Sequence, residues 1–297
     1  MKKILLFGSV YTELVSYVDA LPKGNEDFVV KESESRTGGL AYIICRILNG
    51  FSFPYSFMAS LGTGVYSEMP AEDCRKENIP LHQTSEELNG CVYTLMDPDG
   101  NTAYFSVPGA ELSFDINRMS EIDPKEISQI VVLGDQLCGD DAYDLIDVLD
   151  DLDKPFLFVP GERMDEIDPG ALKAVMALHP KVFCTEQQAY YMGDETKDLA
   201  SCARKLADAY GSKVLIYKEG EGVFVRDDTE TYIAPIHTSV NYAYLLAGYI
   251  AAMNGLVDDK NALMFAGAFA SGSRHSFPGE RYLQSEKKRL AGIILQK

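Results

Sequence analysis

Residues 156–184 read FLFVPGERMDEIDPGALKAVMALHPKVFC, which places a helical pattern between two short apolar runs. The runs Phe156–Val159 and Lys181–Cys184 have the length and composition of buried strands. Between them, Ala171–Leu178 has the spacing of a short helix. A strand, a helix and a second strand in this order predict two parallel strands joined by a crossover helix.

The same alternation continues on both sides of this unit. Further strands are predicted at Lys2–Phe7, Tyr55–Leu61, Ile130–Leu133, Val214–Tyr217 and Val223–Val225. Further helices are predicted at Ala41–Leu48, Ala142–Leu149, Leu199–Tyr210, Tyr244–Met253 and Asn261–Ala270. Alternating strands and helices are typical of an α/β protein, and we predict a three-layer α/β/α sandwich with a mainly parallel sheet.

Two β-rich segments interrupt the alternation and predict a small β-sheet lid. The first contains the runs Leu14–Val18 and Phe28–Val30. The second is a hairpin in which Cys91–Met96 and Thr102–Val107 flank the turn Asp97-Pro98-Asp99-Gly100. We therefore predict a single unit, with a core of residues 1–10, 36–87 and 112–297 and a lid of residues 11–35 and 88–111.

The charge of the chain limits its partners. Its 297 residues include 27 Lys and Arg against 45 Asp and Glu, which gives a formal net charge of −18. Because such a chain repels nucleic acid and anionic lipid, we expect neither as a partner. The apolar stretch Ala243–Met253 is too short to span a bilayer. The six cysteines lack C-x-x-C spacing and predict neither a zinc site nor a disulfide framework, so we expect a cytoplasmic protein.

Short motifs follow one another along the chain in a fixed order. Gly8-Ser9 ends the first predicted strand and is followed by Glu13. Gly38-Gly39 opens the helix that carries Ile43, and Gly109-Ala110 follows the hairpin. Together with the strand order, these motifs resemble those of the ribokinase-like (PfkB) family of carbohydrate kinases, and the resemblance extends over nearly the whole chain.

The resemblance implies ATP-dependent phosphorylation of a sugar or nucleoside hydroxyl, with Mg²⁺ as the metal. It implies substrate-binding positions at Glu13, Gly38, Gly39 and Ile43, where Glu replaces the family's Asp and Ile replaces its Asn. Glu13 either binds a sugar hydroxyl or is a structural carboxylate at a domain junction. The glycine pair either lines a pocket or allows a tight turn between strand and helix, and we slightly favour the turn.

The nucleotide side departs further from the family pattern. The Asn-x-x-Glu motif, which organises Mg²⁺ and phosphates in the family, corresponds to Thr185-Glu186-Gln187-Gln188. The Thr-x-Gly-x-x-Gly turn corresponds to residues 217–222 and retains only Gly222. The resemblance therefore places nucleotide-side positions at Thr185, Glu186, Gln188 and Gly222, with altered chemistry.

The family's Asp-Thr-x-Gly-Ala-Gly-Asp motif corresponds to residues 237–243. Val240 and Tyr242 replace its two glycines, with Asn241 between them, and Ala243 replaces the catalytic Asp. In the family, backbone N–H groups at this helix start approach the phosphate, and the Asp takes the proton of the hydroxyl. We therefore expect an obstructed anion hole at residues 240–242 and no catalytic base at residue 243.

Two functions are open at this point. We favour an inactive relative that binds a small molecule or a partner through the former cleft or the lid. The alternative is an active sugar kinase whose base comes from elsewhere in the chain; His237 is one candidate, although a structural role suits it better. Lid sheets in this family often pair between two copies, so the resemblance also implies a homodimer formed through the lid.

Other features have simpler interpretations. The Asp residues of 140–153 recur at helical spacing and predict a solvated helix face rather than a metal site. Gly62-Thr63-Gly64 lacks the last glycine of a dinucleotide fingerprint. Pro160-Gly161-Glu162-Arg163 predicts a turn to which we assign no chemistry. The three tyrosines on motif positions are predicted to plug the cleft: Tyr42, Tyr242 and Tyr244.

Overall fold

A computed structural model describes residues 2–24, 27–193, 198–226, 231–235, 240–253 and 258–272. The strands in these residues are β1 (Lys3–Phe7), β2 (Tyr11–Tyr17), β3 (Glu32–Gly38), β4 (Tyr55–Met58), β5 (Ser60–Thr63), β6 (His82–Leu88), β7 (Cys91–Met96), β8 (Thr102–Val107), β9 (Ile127–Leu133), β10 (Phe156–Val159), β11 (Lys181–Thr185), β12 (Val214–Lys218), β13 (Gly222–Arg226) and β14 (Thr231–Pro235). The α-helices are α1 (Leu40–Phe51), α2 (Val65–Lys76), α3 (Ala142–Leu152), α4 (Pro169–Ala177), α5 (Glu186–Gly193), α6 (Leu199–Tyr210), α7 (Tyr242–Met253) and α8 (Asp259–Gly272).

The main sheet lies between two helical layers. Within the described residues it has eight strands in the order β14-β13-β12-β11-β10-β9-β1-β4, parallel from β12 to β4, with β13 and β14 added antiparallel. Side chains of β1 alternate between the layers. Ile4 and Leu6 pack with helices α1, α7 and α8, whereas Leu5 and Phe7 pack with helices α3 to α6. This arrangement confirms the predicted fold class.

The parallel strands bring the ends of β1, β9, β10 and β11 to one edge of the sheet. Phe7 pairs with Val132, and Leu133 pairs with Val159. Residues that follow these strands therefore lie side by side along the edge, although they are far apart in sequence. In open α/β sheets, this carboxyl edge is where ligands bind.

A separate four-stranded sheet, here called the lid, has the order β3-β2-β7-β8. The hairpin β7–β8 has the predicted bounds. One buried carboxylate, that of Glu111, fixes both ends of this hairpin. It accepts hydrogen bonds from the backbone N–H of Gly90 (2.6 Å) and from that of Gly109 (3.1 Å).

Several elements differ from the sequence-based expectations. Phe28–Val30 does not form a strand; the polar segment Glu32–Gly38 pairs with β2 instead. The lid orders this segment through its backbone hydrogen bonds, which a polar sequence does not reveal. The predicted strand Tyr55–Leu61 is interrupted at Ala59, because β5 leaves the main sheet to pair with β6.

Other expectations are confirmed. Helix α3 buries Leu145, Ile146 and Leu149 and exposes Asp144, Asp147 and Asp150, as predicted for a solvated acidic face. Five of the six cysteine side chains are buried, with Cys138 half-buried. Among the helices of the described residues, none combines the length and hydropathy needed to cross a membrane.

Candidate active site

Asp135 follows β9 and lies beside Ser9, which follows β1, at the carboxyl edge of the main sheet. The Ser9 hydroxyl and the Ser9 backbone N–H both donate hydrogen bonds to Oδ2 of Asp135, the latter at 3.2 Å. The other oxygen, Oδ1, is buried without a hydrogen-bond partner among the described residues. Burial raises the pKa of this carboxyl, and the hydrogen bonds from Ser9 only partly oppose that effect. Asp135 therefore keeps an unused acceptor at the edge of the sheet.

Tyr11 is the first lid residue above this edge. A Cβ atom added to Gly38 would lie 2.7 Å from Cε2 of Tyr11, so the absence of a side chain at Gly38 makes room for the ring. Burial raises the pKa of the Tyr11 phenol, and nearby negative charges add to the effect. These charges belong to Glu13, Asp135, Glu162 and Glu111. Tyr11 thus marks the place where lid carboxylates and sheet-edge carboxylates meet, and we call this region the acidic cleft.

Glu13 is held within the lid. Its Oε2 accepts a hydrogen bond from Nε of Arg36 at 2.7 Å, and its Oε1 accepts one from Oγ1 of Thr94 at 2.7 Å. The side chain is 14% exposed. Both oxygens are thus engaged by neighbouring strands, which favours the structural interpretation of Glu13.

The glycine pair makes the turn from β3 into α1. Gly39 has φ 109°, in the left-handed region, and an added Cβ would lie 2.5 Å from the carbonyl oxygen of Ser9. Both conditions exclude a side chain at Gly39. Ile43 donates its backbone N–H to the carbonyl of Gly39 at 3.2 Å, and its side chain packs against the core. The tight turn between strand and helix is therefore sufficient to explain the two glycines.

The segment after β10 forms the predicted turn, with Gly161 at φ 78°. Gln188 anchors it by donating its Nε2–H to the carbonyl of Gly161 at 2.8 Å. Glu162 is solvent-accessible, yet partial burial and the charge of Glu13 raise the pKa of its carboxyl. Sequence reasoning assigned no chemistry to Glu162 and did not consider Asp135, because only the sheet topology brings them together.

Helix α7 begins at the predicted anion-hole positions, and Asn241 caps it. Oδ1 of Asn241 accepts hydrogen bonds from the backbone N–H of Ala243 at 2.9 Å and from that of Tyr244 at 3.4 Å. The preceding residue, Val240, is buried, and its carbonyl accepts a hydrogen bond from the Tyr217 hydroxyl at 3.4 Å. Two of the amides that this helix start could offer to an anion are therefore satisfied by the protein's own side chain.

Tyr242 covers the ends of β11 and β12. Its ring centroid lies 5.8 Å from that of Phe183 and 5.9 Å from that of Tyr217. Its hydroxyl donates a hydrogen bond to the carbonyl of Phe183 at 3.3 Å. The pKa of this phenol is raised by burial and by the charges of Cys184 and Glu162. Tyr242 thus fills the space next to the acidic cleft.

The prediction that three tyrosines plug the cleft is wrong for Tyr42 and Tyr244. Tyr42 is buried on α1 beneath the guanidinium of Arg46, 5.5 Å from its ring centroid. Tyr244 packs against Phe269 of α8, with centroids 6.2 Å apart. Tyr244 lies two residues after Tyr242 on α7, so helical spacing turns it to a different face, whereas Tyr42 lies on α1 and packs in the core.

The residues predicted to lie on the nucleotide side make local contacts at the start of α5 and where β12 and β13 meet. Oε1 of Gln188 accepts a hydrogen bond from the backbone N–H of Thr185 at 2.9 Å, which caps the helix. Glu186 pairs with Nζ of Lys218 at 3.4 Å. Gly222 begins β13 with φ 136° and lies opposite Lys218 in the antiparallel pair. These contacts occupy the groups that the resemblance assigned to phosphate and Mg²⁺.

The described residues do not fit a transferable phosphate with its Mg²⁺ at the start of α7. The amides there are capped, residue 243 has only a methyl group, and the ring of Tyr242 fills the adjoining space. In the same described ranges, no three His, Cys, Asp or Glu side chains are arranged to hold a metal ion. His237 and Thr238 lie outside the described residues.

Comparisons with known proteins agree with this architecture. The family model for pfkB family carbohydrate kinases matches residues 1–241. The uncharacterized sugar kinase YegV of Escherichia coli (strain K12) is 23% identical over 230 residues, covering 75% of this chain and 71% of that protein.

Solved structures show the same fold at low identity. Thermotoga maritima ribokinase aligns with a TM-score of 0.79 and 16% identity, over 98% of this chain and 100% of its own. The nucleoside kinase of Burkholderia thailandensis, solved with inosine, aligns with a TM-score of 0.73 and 16% identity, over 97% of this chain and 98% of its own. The ribokinase of Arabidopsis thaliana, solved with ribose and ATP, aligns with a TM-score of 0.75 and 14% identity, over 97% of this chain and 99% of its own.

Proposed function

The chain belongs to the pfkB family of carbohydrate kinases, and from that membership we propose a ligand-binding protein that has lost most or all phosphoryl transfer. Its ligand is a sugar or nucleoside bound in the acidic cleft between the sheet edge and the lid. The observation that carries the proposal is the hydrogen bond from the Ala243 amide to Oδ1 of Asn241. This bond supports the proposal because Asn241, two residues before Ala243, gives the helix start an acceptor of its own at the position that the resemblance assigns to phosphate.

Phosphoryl transfer to an alcohol needs an in-line hydroxyl, a proton acceptor and donors for the charge on the phosphate. The methyl group of Ala243 accepts no proton. A positioned general base contributes roughly 10²–10⁴-fold to a rate, and a single donor to a developing oxyanion contributes roughly 10²–10³-fold. Loss of both accounts for negligible turnover without any change of fold.

The ligand class rests on the family and on the acceptors in the cleft. The solved neighbours bound ribose or inosine, and both compounds carry adjacent hydroxyl groups. Glu162 has a solvent-accessible carboxylate whose oxygens can accept hydrogen bonds from such groups. ATP is the phosphoryl donor that family membership supports, and Mg²⁺ is the metal that accompanies it in the resemblance. Altered contacts at Thr185, Glu186 and Gln188 support weak binding of both.

One observation favours the second candidate, an active kinase with a base from elsewhere in the chain. Glu162 accepts no hydrogen bond from a described residue, burial raises the pKa of its carboxyl, and a carboxylate is one of the groups that can take a proton in general-base catalysis. Glu162 also lies close enough to Tyr242, the first residue of α7, to raise the pKa of that phenol. Residual activity, where present, is therefore assigned to Glu162.

Calorimetry with ribose, inosine, ADP and Mg-ATP, combined with an assay of ligand-dependent ADP release, tests the proposal. We expect binding of a sugar or nucleoside with no ADP release above the ligand-free rate. ADP release at rates of about 1–100 s⁻¹, which are typical of kinases, contradicts it. Slow release that disappears in Glu162→Gln favours the second candidate.

We also propose that the lid mediates a homodimer. Strands β3 and β8 are the two edges of the lid sheet, and β8 exposes Tyr104, Phe105 and Val107. Exposed edges with apolar side chains are typical of surfaces that pair with another chain. Sedimentation velocity is expected to show a dimer that Phe105→Asp dissociates, whereas Tyr191→Asp, at an equally exposed ring on α5, leaves it intact. A monomeric unsubstituted protein contradicts the proposal.

A further inference from the structure

Helix α7 is attached to strand β11 at two points. Its first residue, Tyr242, donates a hydrogen bond from its hydroxyl to the carbonyl of Phe183 at 3.3 Å. Seven residues later, the hydroxyl of Tyr249 donates one to Oδ1 of Asp259, the first residue of α8. The same oxygen accepts a hydrogen bond from Nζ of Lys181, the first residue of β11, at 2.7 Å. The second attachment thus reaches the strand through a carboxylate at the amino edge of the sheet.

The ring of Phe183 contacts both tyrosines. Its centroid is 5.8 Å from that of Tyr242 and 5.3 Å from that of Tyr249. Residues seven positions apart are two helical turns apart, about 10 Å, and lie on the same face of the helix. Both tyrosines therefore face β11 from one side of α7 and meet the same buried side chain. Because protein interiors are close-packed, displacement of one ring changes the contacts of the next.

The Asp259 carboxylate is buried among groups that neutralise it. Its Oδ2 accepts a hydrogen bond from Nζ of Lys213 at 2.6 Å, and its Oδ1 is shared by Lys181 and Tyr249. Burial by itself raises the pKa of this carboxyl, but the charge of Lys181 and the hydrogen bonds that the carboxylate accepts hold the pKa below its ordinary value. Asp259 is therefore ionised near neutral pH. Since charge-assisted hydrogen bonds are stronger than neutral ones, the attachment at Tyr249 is stronger than the one at Tyr242.

We propose that Asp259 is a positioning residue for the candidate active site. It fixes Tyr249, and with it α7, so that the ring of Tyr242 stays in the space next to the acidic cleft. Asp259 itself lies at the amino edge of the sheet and acts on the site through α7. The inference rests on the proposed function, because Tyr242 is the ring that adjoins the positions assigned to phosphate.

A positioning role differs from general stabilisation in where its loss is felt. Loss of general stabilisation increases global unfolding and accelerates amide exchange throughout the core, whereas loss of positioning acts mainly at the start of α7. The Leu245 amide reports on that start, because it donates to the carbonyl of Asn241 at 3.1 Å. Its matched reference is the Leu172 amide at the start of α4, which donates to the carbonyl of the capping residue Asp168 at 2.9 Å.

Amide hydrogen exchange of the full chain, measured at single residues by NMR without ligand, tests the proposal. Tyr249→Phe removes one hydroxyl and keeps the ring. We expect exchange at Leu245 to accelerate about tenfold, as loss of a hydrogen bond to a charged group allows, and exchange at Leu172 to change less than about twofold. Asp259→Asn should act in the same direction, whereas Asp258→Asn, an equal charge change at the exposed neighbouring residue, should leave both amides unchanged.

A double variant tests whether the effect passes through Tyr242. Tyr242→Phe removes the hydroxyl that bonds to Phe183, so a Tyr249→Phe change made in that background has less left to displace. We expect the two substitutions together to accelerate exchange at Leu245 by less than the product of their separate effects, as for coupled residues. A combined effect equal to the product, or above it, shows two separate attachments and overturns the proposal.

Two further outcomes overturn it. Unchanged exchange at Leu245 in Tyr249→Phe and Asp259→Asn shows that α7 does not depend on this attachment. Equal acceleration at Leu245 and Leu172 shows that Asp259 stabilises the whole fold and positions nothing. None of these measurements contains a ligand, so failure of the positioning role leaves the proposed function to calorimetry. If calorimetry instead finds no sugar or nucleoside bound, the proposed function fails, although Asp259 still holds Tyr242 in place.

Discussion

Oδ1 of Asn241 lies 2.9 Å from the backbone nitrogen of Ala243, so the start of α7 is closed by a cap from within the chain. A helix start attracts an anion because its first N–H groups lack partners within the helix. The amide oxygen of Asn241 supplies a neutral acceptor instead. The same cap thus stabilises α7 and occupies two amides at the position that the family resemblance assigns to phosphate.

Removal of this cap is expected to destabilise the protein. Asn241→Ala leaves the Ala243 and Tyr244 amides without their side-chain acceptor and should lower the free energy of unfolding by about 1 kcal/mol. Chemical denaturation measures the change. Asn241→Asp, which retains an oxygen acceptor, serves as the matched control and should remain near the unsubstituted value. Equal losses in the two variants contradict the capping role.

Restoration of the missing carboxylate is expected to be insufficient for activity. Ala243→Asp supplies a carboxylate at the position that the resemblance assigns to the base, but the Asn241 cap and the ring of Tyr242 remain at the positions that it assigns to phosphate. We expect no ligand-dependent ADP release from this single variant. The triple change Asn241→Gly, Tyr242→Gly and Ala243→Asp is its companion and is expected to gain more than the single variant. Turnover in Ala243→Asp alone shows that the anion site is open after all.

Local signals account for the parts of the fold that could be predicted. The hairpin strands Cys91–Met96 and Thr102–Val107 have their predicted bounds, because the Asp-Pro-Asp-Gly turn fixes where each strand stops. Helix Leu199–Tyr210 also has its predicted bounds, since Asp198 caps its start and Gly211 ends it in the left-handed conformation. In contrast, Glu32–Gly38 is a strand only because the lid pairs it with β2.

The candidate site was less predictable than the fold. Asn241 immediately precedes a helix, which is a recognisable capping signal, yet we assigned it only as an anion-hole position. Asp135 and Glu162 follow different strands, and their closeness depends on the register of β9 with β10. A single sequence contains no local signal for that neighbourhood. Burial and a missing hydrogen-bond partner mark Oδ1 of Asp135, and both are properties of the packed molecule alone.

Glu111 is expected to control the attachment of the lid. Its buried carboxylate accepts hydrogen bonds from Gly90 and Gly109, so Glu111→Ala leaves two buried N–H groups unsatisfied. A hydrogen bond to a charged group contributes about 1.5–3 kcal/mol, and we expect a loss of at least about 2 kcal/mol in unfolding free energy. Hydrogen exchange at the Gly90 and Gly109 amides should accelerate. Glu111→Gln, which keeps one oxygen acceptor, should have a smaller effect, and unchanged exchange in Glu111→Ala contradicts the role.

Glu162 is expected to make the stability of the protein depend on pH. Partial burial and the nearby charge of Glu13 raise the pKa of its carboxyl in the folded state, while the phenols of Tyr11 and Tyr242 border the same space. A carboxyl with a raised folded-state pKa binds its proton more tightly when folded. Its contribution to stability is therefore complete below the unfolded-state pKa, near 4, and declines as pH rises toward the folded-state value.

The measurement is the difference in unfolding free energy between pH 4 and pH 7, determined by denaturant titration. Glu162→Gln removes the titrating group, so it should lose less stability across this interval than the unsubstituted protein. Asp208→Asn, with the same change in net charge on the exposed face of α6, should show the unsubstituted difference. If Glu162→Gln also retains that difference, Glu162 is solvated like an ordinary surface carboxylate.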